Sequence, residues 1–235
     1  MTTTVVYSDT SDGFIYNEDE VSYANARAGG GTWSSLFEYT SGSDLLAGQY
    51  FGDPFSGGSN VYGVNETFLA FDTHDVGTDT VSAAVLRVTS NADASDTDFT
   101  IQARLHDWGA TLTTADWVAG ADLSGLTLLA HYATSSGFTS GTGYDLVDDA
   151  LPANVNKTGS TRLLLCSSRT TNSNEPTGNE YVWIRAADYA GTTSDPKLTV
   201  THAAGGSTLF LMLEDDSGAY ELEDDSGGIL LEPGA

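Results

Sequence analysis

Apolar and polar residues alternate with a period of two along most of the chain. In the clearest segment, 98–106, the odd-numbered positions from Phe99 to Leu105 are apolar and the even-numbered positions are polar. Successive side chains of a β-strand point to opposite faces, so this pattern predicts a strand with one buried face. Segments 81–90, 180–187 and 196–202 alternate in the same way and are also predicted to be strands.

Two short runs, 66–71 and 161–166, have apolar residues at both odd-numbered and even-numbered positions, and therefore on both faces of a strand. Such runs are typical of central strands that are covered on both sides. Further strands are predicted over 3–7, 13–17 and 126–133. The stretches 42–63 and 167–179 between them are rich in Gly, Ser, Asn and Thr, and we interpret them as turns.

Long helical patterns are absent from the sequence, and two short helices are predicted near 21–28 and 151–155. Many short strands joined by turns are typical of an antiparallel β-sandwich. The sequence therefore predicts an all-β sandwich over residues 1–203.

The composition changes at the end of this region, where small residues indicate a Gly-rich linker over 204–207. Beyond it, the sequence Glu-Asp-Asp-Ser-Gly occurs at 214–218 and again at 223–227, with apolar runs on either side. An Asp-Ser-Gly turn between apolar runs predicts a hairpin. We therefore expect a small β-meander over 208–235.

Three short strands bury little surface and leave open edges, so the tail is expected to be an association element. Its apolar residues are the candidate contacts: Leu209, Leu211, Leu213, Tyr220, Leu222, Ile229 and Leu231. Symmetric association would bury them, and a homotrimer is the expected state.

The net charge is strongly negative, with 33 acidic residues against 8 basic ones and a formal charge of −25. A surface of this kind repels phosphates, so binding to nucleic acid is not expected. The charge suits solubility, attraction to cations or docking onto a basic partner.

Neither a signal peptide nor a membrane span is expected. The first ten residues lack a basic segment followed by a long apolar one, and no apolar run approaches the length of a transmembrane helix. The single cysteine, Cys166, lies in an apolar run and is expected in the core.

Sequence motifs for catalysis are also missing: there is no G-x-S-x-G, Walker, H-E-x-x-H or C-x-x-C pattern, and the four histidines lack metal-ligand spacing. A non-enzymatic protein is expected. The alternative, a polysaccharide depolymerase, would need a cleft with closely spaced carboxylates of perturbed pKa.

Two acidic loops are candidate calcium sites, because calcium prefers several oxygen ligands from closely spaced acids. The candidate ligands are Asp9 and Asp12 in the first loop and Asp96 and Asp98 in the second. Neither loop has the full spacing of a calcium-binding loop, and no other cofactor is expected.

A group of aromatic residues lies in the Gly-rich region between residues 30 and 63: Trp33, Tyr50, Phe51, Phe55 and Tyr62. Aromatic rings displayed on loops can stack on sugars. The alternative is that these rings pack inside the ends of the sandwich.

Four motifs in order resemble DNRLRE-type domains, which are jelly rolls related to carbohydrate-binding modules. They are Glu66–Thr73 (ETFLAFDT), Val81–Val88 (VSAAVLRV), Trp108 with Thr111–Trp117, and Asp195–Val200 (DPKLTV). The resemblance covers 66–202 and implies a jelly-roll-like sandwich.

A further resemblance, to proteins of tailed-phage genomes, spans nearly the whole chain, including 98–130, 177–201 and the acidic repeat of the tail. It implies a virion component made in the host cytoplasm: a tail, fibre or capsid-surface protein that assembles with itself and with other virion proteins. A module that binds a host glycan is the alternative function. An exposed aromatic platform within 30–63 would distinguish it.

Overall fold

The structure, a computed structural model, describes residues 1–30, 34–40, 42, 44–52, 60–187, 189 and 191–204. Within these residues the chain forms a curled antiparallel sheet of thirteen strands. The strands are β1 (Thr2–Tyr7), β2 (Gly13–Asp19), β3 (Ser34–Tyr39), β4 (Asp44–Gly52), β5 (Val61–Asp72), β6 (Thr80–Asp93), β7 (Thr100–Leu105), β8 (Leu128–Ala133), β9 (Gly143–Asp145), β10 (Val147–Asp148), β11 (Ser160–Ser167), β12 (Asn179–Arg185) and β13 (Lys197–Ala203).

The long strand β6 divides the sheet into two halves. Its first part pairs with β13, which pairs with β1, and β9 adds to the other side of β6. Its last residues pair with β12, and from β12 the sheet continues in the order β4, β5, β11, β7, β8 and β10. Strand β2 also pairs with β5, and β3 pairs with β2. We call β1, β13, β6 and β9 the first sheet and the remaining strands the second sheet.

The two sheets enclose one main core, which contains Leu86 and Val200 of the first sheet together with Leu69, Phe71 and Leu163 of the second. Burial of these side chains from both halves makes the fold a jelly-roll-like, all-β antiparallel sandwich, as the sequence predicted.

The predicted alternation is confirmed in the strands. Ile101 and Ala103 of β7, Val182 and Ile184 of β12, and Leu198 of β13 are all buried. The period-two pattern therefore identified both the strands and the faces that enter the core.

The two runs that are apolar on both faces are indeed covered twice. In β5, Leu69 and Phe71 enter the main core, while Phe68 and Ala70 enter a second apolar cluster on the opposite face. The segment 106–127 supplies the other side of this second cluster, with Trp108, Leu112, Val118 and Leu123.

The interpretation of 42–63 as a turn region is wrong. It contains all of β4 and the start of β5, and Leu45, Leu46 and Ala47 are buried. Strand β4 pairs with β12 on one side and with β5 on the other, so tertiary pairing compensates for its glycines. The second predicted turn region, 167–179, similarly contains the short helix α2 (Ser168–Thr171).

Of the two predicted helices, the first is present as α1 (Tyr23–Ala28). The Ser22 side chain accepts a hydrogen bond from the Asn25 amide at its start, and Gly29 adopts a left-handed conformation at its end. The second is a single 3₁₀ turn at Pro152–Asn154.

The last described strand, β13, ends at Ala203. The predicted linker beyond Ala204 and the predicted meander over 208–235 lie outside the described residues. The meander therefore stays a prediction from sequence.

Gly48 lies where β4, already paired with β12, begins to pair with β5 as well. We expect Gly48→Ala to lower the free energy of unfolding by about 2–4 kcal/mol. Its φ of 137° is unfavourable for an L side chain, and a Cβ would lie 2.3 Å from the carbonyl oxygen of Glu180. Gly125→Ala is the control, because a Cβ there meets nothing within 4 Å. Chemical denaturation checks both, and equal midpoints for the two variants would contradict the strain at Gly48.

Candidate functional site

The outer face of the first sheet is the candidate site. Strands β1, β13 and β6 turn Val6, Leu198 and Leu86 inward, so the neighbouring positions point outward. The register aligns the outward residues in three rows, Thr3–Thr201–Ala83, Val5–Thr199–Val85 and Tyr7–Lys197–Arg87. We call these nine residues the outer face.

None of these nine residues is acidic, although the chain contains 33 acidic residues. Asp145 of β9 borders the face and forms an ion pair with Arg87 at 3.1 Å. The other basic residue, Lys197, lies next to Arg87 in the register. The outer face therefore carries little negative charge on a strongly negative protein.

Three large apolar side chains are exposed on this face. Val5, Tyr7 and Val85 expose 48%, 40% and 37% of their surface. The solvent side of an antiparallel sheet is normally polar. A face of threonine, valine and tyrosine is suited to contact with another protein surface.

Seven residues of the tail, from Leu209 to Leu231, were predicted as assembly contacts, and they lie outside the described residues. Their role stays a prediction. The outer face was not predicted as a site, although the odd-numbered positions of 3–7 already placed Val5 and Tyr7 opposite the inward Val6.

The described residues among the five that were predicted to stack on sugars lie in different surroundings in the structure. Trp33 and Phe55 lie outside the described residues. Tyr50 is fully buried and its hydroxyl donates a hydrogen bond to Glu18, so the prediction that Tyr50 is displayed on a loop is wrong. Its strand β4 is drawn into the sheet by pairing on both edges.

Phe51 and Tyr62 do come together on neighbouring strands. Their ring centroids are 4.6 Å apart with an angle of 36° between the planes, and both rings are half-buried. The pKa of Tyr62 is raised because its hydroxyl donates a hydrogen bond to Glu175. This pair is the part of the predicted platform that the described residues bring together.

The four candidate calcium ligands accept hydrogen bonds within their own surroundings. The carboxylate of Asp12 accepts from the Ser8 hydroxyl at 3.0 Å and from the Ala187 amide at 3.1 Å. Asp9 accepts from the amide of Ser11 at 2.9 Å.

In the second loop, Asp96 accepts from the Asn179 amide and Asp98 from the Thr134 hydroxyl, each at 3.0 Å. Within the described ranges, no group of three or more His, Cys, Asp or Glu side chains is placed to hold a metal ion.

The most buried histidine, His202, connects three parts of the first sheet. One ring nitrogen lies 2.6 Å from the Asp79 carboxylate and the other lies 2.9 Å from the Thr4 hydroxyl. The geometry ties β1 and β13 to the turn that precedes β6, which is a structural role.

A buried polar network connects the two helices to the second sheet. The Gln49 side chain accepts from the Tyr23 hydroxyl at 2.6 Å and from the Thr170 hydroxyl at 2.9 Å, and donates to Glu180 at 2.6 Å. Arg169 donates to the same Glu180 oxygen at 2.6 Å. Glu180 lies at an even-numbered position, like the core residues Val182 and Ile184 of β12, so the alternation in the sequence could have predicted its burial.

Glu66 is a fully buried carboxyl in the centre of β5, and the sequence reasoning did not single it out. One oxygen accepts from the Val118 amide at 3.1 Å, and the other has no hydrogen-bond partner among the described residues. Burial raises the pKa of Glu66 well above its ordinary value, and the Val118 amide only partly opposes this shift. The covering segment 106–127 therefore rests on a buried carboxyl group whose neutral form is favoured by its surroundings.

Cys166 is buried next to this group, as the sequence predicted. Burial, assisted by the nearby Glu66, raises the pKa of the thiol to about 12. At neutral pH the thiol is therefore protonated and a poor nucleophile.

No helix of the described residues has the length and apolar character needed to cross a bilayer. No protein-family model matches the chain, and a search of curated proteins also finds no match.

Glu66→Gln is expected to raise the free energy of unfolding increasingly as the pH rises. In the folded parent burial raises the pKa of the carboxyl, whereas in the unfolded chain the carboxyl ionises above about pH 4.5, so above that pH the folded state binds more protons. The contribution of the Glu66 carboxyl to the free energy of unfolding is fully present below pH 4.5. As the pH rises further, this contribution falls by up to about 1.4 kcal/mol per pH unit, until the pH reaches the pKa of Glu66 in the folded state.

A glutamine at position 66 does not ionise, so the variant does not lose stability in this way as the pH rises. Its side-chain oxygen can still accept the hydrogen bond from the Val118 amide. Denaturation of the parent and the variant at several pH values between 4 and 8 measures the difference. A difference that stays constant over this range would contradict a protonated Glu66.

Proposed function

We propose that this chain is a non-enzymatic structural component of a tailed-phage virion, a tail, fibre or capsid-surface protein that acts through protein–protein assembly. The single observation that carries the proposal is the outer face of the first sheet, which exposes Val5, Tyr7 and Val85 without an acidic residue in its three rows.

Electrostatics favour this face as the contact surface. Copies of a chain with a formal charge of −25 repel one another, and a carboxylate buried in an interface without a partner is costly. Association is therefore easiest where the surface lacks carboxylates and offers apolar side chains. The outer face meets both conditions.

The tail is proposed to strengthen this association. Its apolar residues, such as Leu211 and Leu222, alternate with acidic segments in the sequence, and the three short strands predicted there would gain stability only when another surface covers them. A homotrimer held by the tail, with the outer face available for further contacts, is the arrangement we propose. The protein would be made in the host cytoplasm and incorporated into the particle.

Val5→Glu is expected to weaken the association of the full-length chain at least about tenfold, because it places a like charge in each copy of the contact surface. Light scattering at several protein concentrations measures the change. Val21→Glu is the matched control, since Val21 exposes 62% of its surface and lies outside the outer face.

A parent chain that is monomeric at every concentration would contradict the assembly function, and equal masses for the two variants would exclude the outer face as the contact. The same measurement with a chelator examines structural calcium. The mass is expected to stay unchanged, since the four candidate acids accept hydrogen bonds from protein groups.

Glycan recognition is the second candidate function, and the contact between Phe51 and Tyr62 is the observation that favours it. Two half-exposed rings on adjacent strands provide an apolar surface for a sugar ring, and Glu175 beside them provides a hydrogen-bond acceptor. This function is compatible with a structural role, because a fibre can also bind a host surface.

Tyr62→Ala is expected to abolish most of the retention of the full-length chain on host-surface polysaccharide in affinity electrophoresis, because it removes one ring of the pair. Tyr39→Ala is the control, since Tyr39 exposes 49% of its surface on a different strand. Equal retention of the parent and both variants would exclude this pair as a sugar site.

A further inference from the structure

We propose that two copies of the chain pair along β1, antiparallel and about a twofold axis, so that the first sheet continues from one copy into the next. This inference rests on the proposed assembly function and specifies the partner and the contact. It follows from the hydrogen-bonding edge of β1, from its composition and from the charges on the other outer strands.

The edge of β1 that faces away from β13 is open over most of its length. In the described residues β1 pairs with β13 throughout, and on its other side the end of the strand approaches β5, where the following Ser8 bridges to Phe71. Next to that bridge, the Asp9 amide donates to the carbonyl of Ala70. The first half of β1 therefore has no strand on this side within the described chain.

The register shows which backbone groups are involved. The Ser8 amide donates to the Pro196 carbonyl on the β13 side at 2.8 Å. Backbone groups of a strand alternate in direction, so the even-numbered residues of β1 point toward β13 and Thr3 and Val5 point toward the open edge. Their N–H and C=O groups are available to another strand.

The composition of β1 does not protect this edge. Exposed edge strands usually carry lysine, proline, a bulge or an inward charge that prevents pairing with another chain. Residues Thr2–Tyr7 are three threonines, two valines and a tyrosine, all of which favour the strand conformation. The pairing with β13 is regular over all six residues.

Charge indicates that the partner is a second copy of β1. Other peripheral strands of the described fold carry acidic residues: Glu38 in β3, Asp145 in β9 and Asp148 in β10. Two copies of a chain with a net charge of −25 can approach most easily through a strand without carboxylates.

Antiparallel pairing about Val5 is self-complementary. It places Val5 opposite Val5 of the second copy and Thr3 opposite Tyr7, so no charged residues of the two β1 strands face each other. Asp72, which follows the bridged Phe71 of β5, borders Tyr7 at the end of this contact. The outward backbone groups of Val5 make this central position a hydrogen-bonded pair. The outer faces of the two copies then form one continuous surface.

A twofold contact at β1 and a threefold contact in the tail would use separate parts of the chain. Two different symmetric contacts link oligomers into larger closed or extended assemblies, which a single contact of either kind cannot do. This pairing would therefore connect trimers within a particle.

Cross-linking of the full-length Val5→Cys variant is the direct test. The paired residues at a hydrogen-bonded position have Cα atoms about 5.5 Å apart, within the range that a disulfide spans. Mild oxidation is expected to convert most of this variant to a disulfide-linked dimer. The native Cys166 is buried and should not interfere. Val21→Cys, at a more exposed valine, is the control and should remain largely unlinked.

Proline substitutions provide an independent measurement. Val5→Pro removes an N–H from the open edge, so it should reduce the assembly mass to that of the trimer while the thermal unfolding midpoint changes little. Thr4→Pro removes an N–H that points toward β13, and it should instead lower the unfolding midpoint.

The inference is overturned if Val5→Cys cross-links no faster than Val21→Cys. If Val5→Glu lowers the assembly mass while Val5→Cys stays unlinked, the outer face serves assembly but the β1 pairing is wrong. If the parent is monomeric at every concentration and Val5→Cys is unlinked, both proposals fail. Should Val5→Pro fail to fold, the cross-linking result decides.

Discussion

Burial of β5 on both faces is the constraint on which much of this structure depends. All nine residues from Gly63 to Phe71 are buried. The main core lies on one side, and the segment 106–127, together with α1 near Val64, covers the other. The strand has β2 along one edge and first β4 and then β11 along the other. Removal of so much apolar surface from water stabilises the centre of the fold and requires the long connection to act as a cover.

The same burial explains the unusual chemistry under that cover. Neither oxygen of Glu66 reaches water, so burial raises the pKa of this carboxyl and favours its neutral form beside a thiol whose pKa is also raised. These groups have perturbed pKa values without access to solvent. We therefore interpret them as consequences of packing, and the contacts of Glu66 with Val118 hold the cover in place.

Acidic residues are unevenly distributed over the described surface of the protein. Acidic residues border the second sheet and the loops, whereas the outer face of the first sheet presents threonine, valine, tyrosine and two basic residues. Two copies of such a negatively charged protein repel each other in most relative orientations. The orientations that remain favourable are those that bring together surfaces without carboxylates. The proposed pairing along β1 joins this surface to an unprotected strand edge.

The sequence alone determined the strand content and the inward faces, because alternation with a period of two is a local property that burial imposes on every strand. It correctly indicated the burial of Cys166 and the double covering of 66–71, since continuous apolar runs are unfavourable in water. It missed β4, where the turn-like glycines are outweighed by pairing with β12 and β5 from distant parts of the chain. Only the tertiary structure placed Tyr50 inside the protein, paired Phe51 with Tyr62, and left one side of β1 without a paired strand among the described residues. Each of these depends on which strands become neighbours across long separations in sequence.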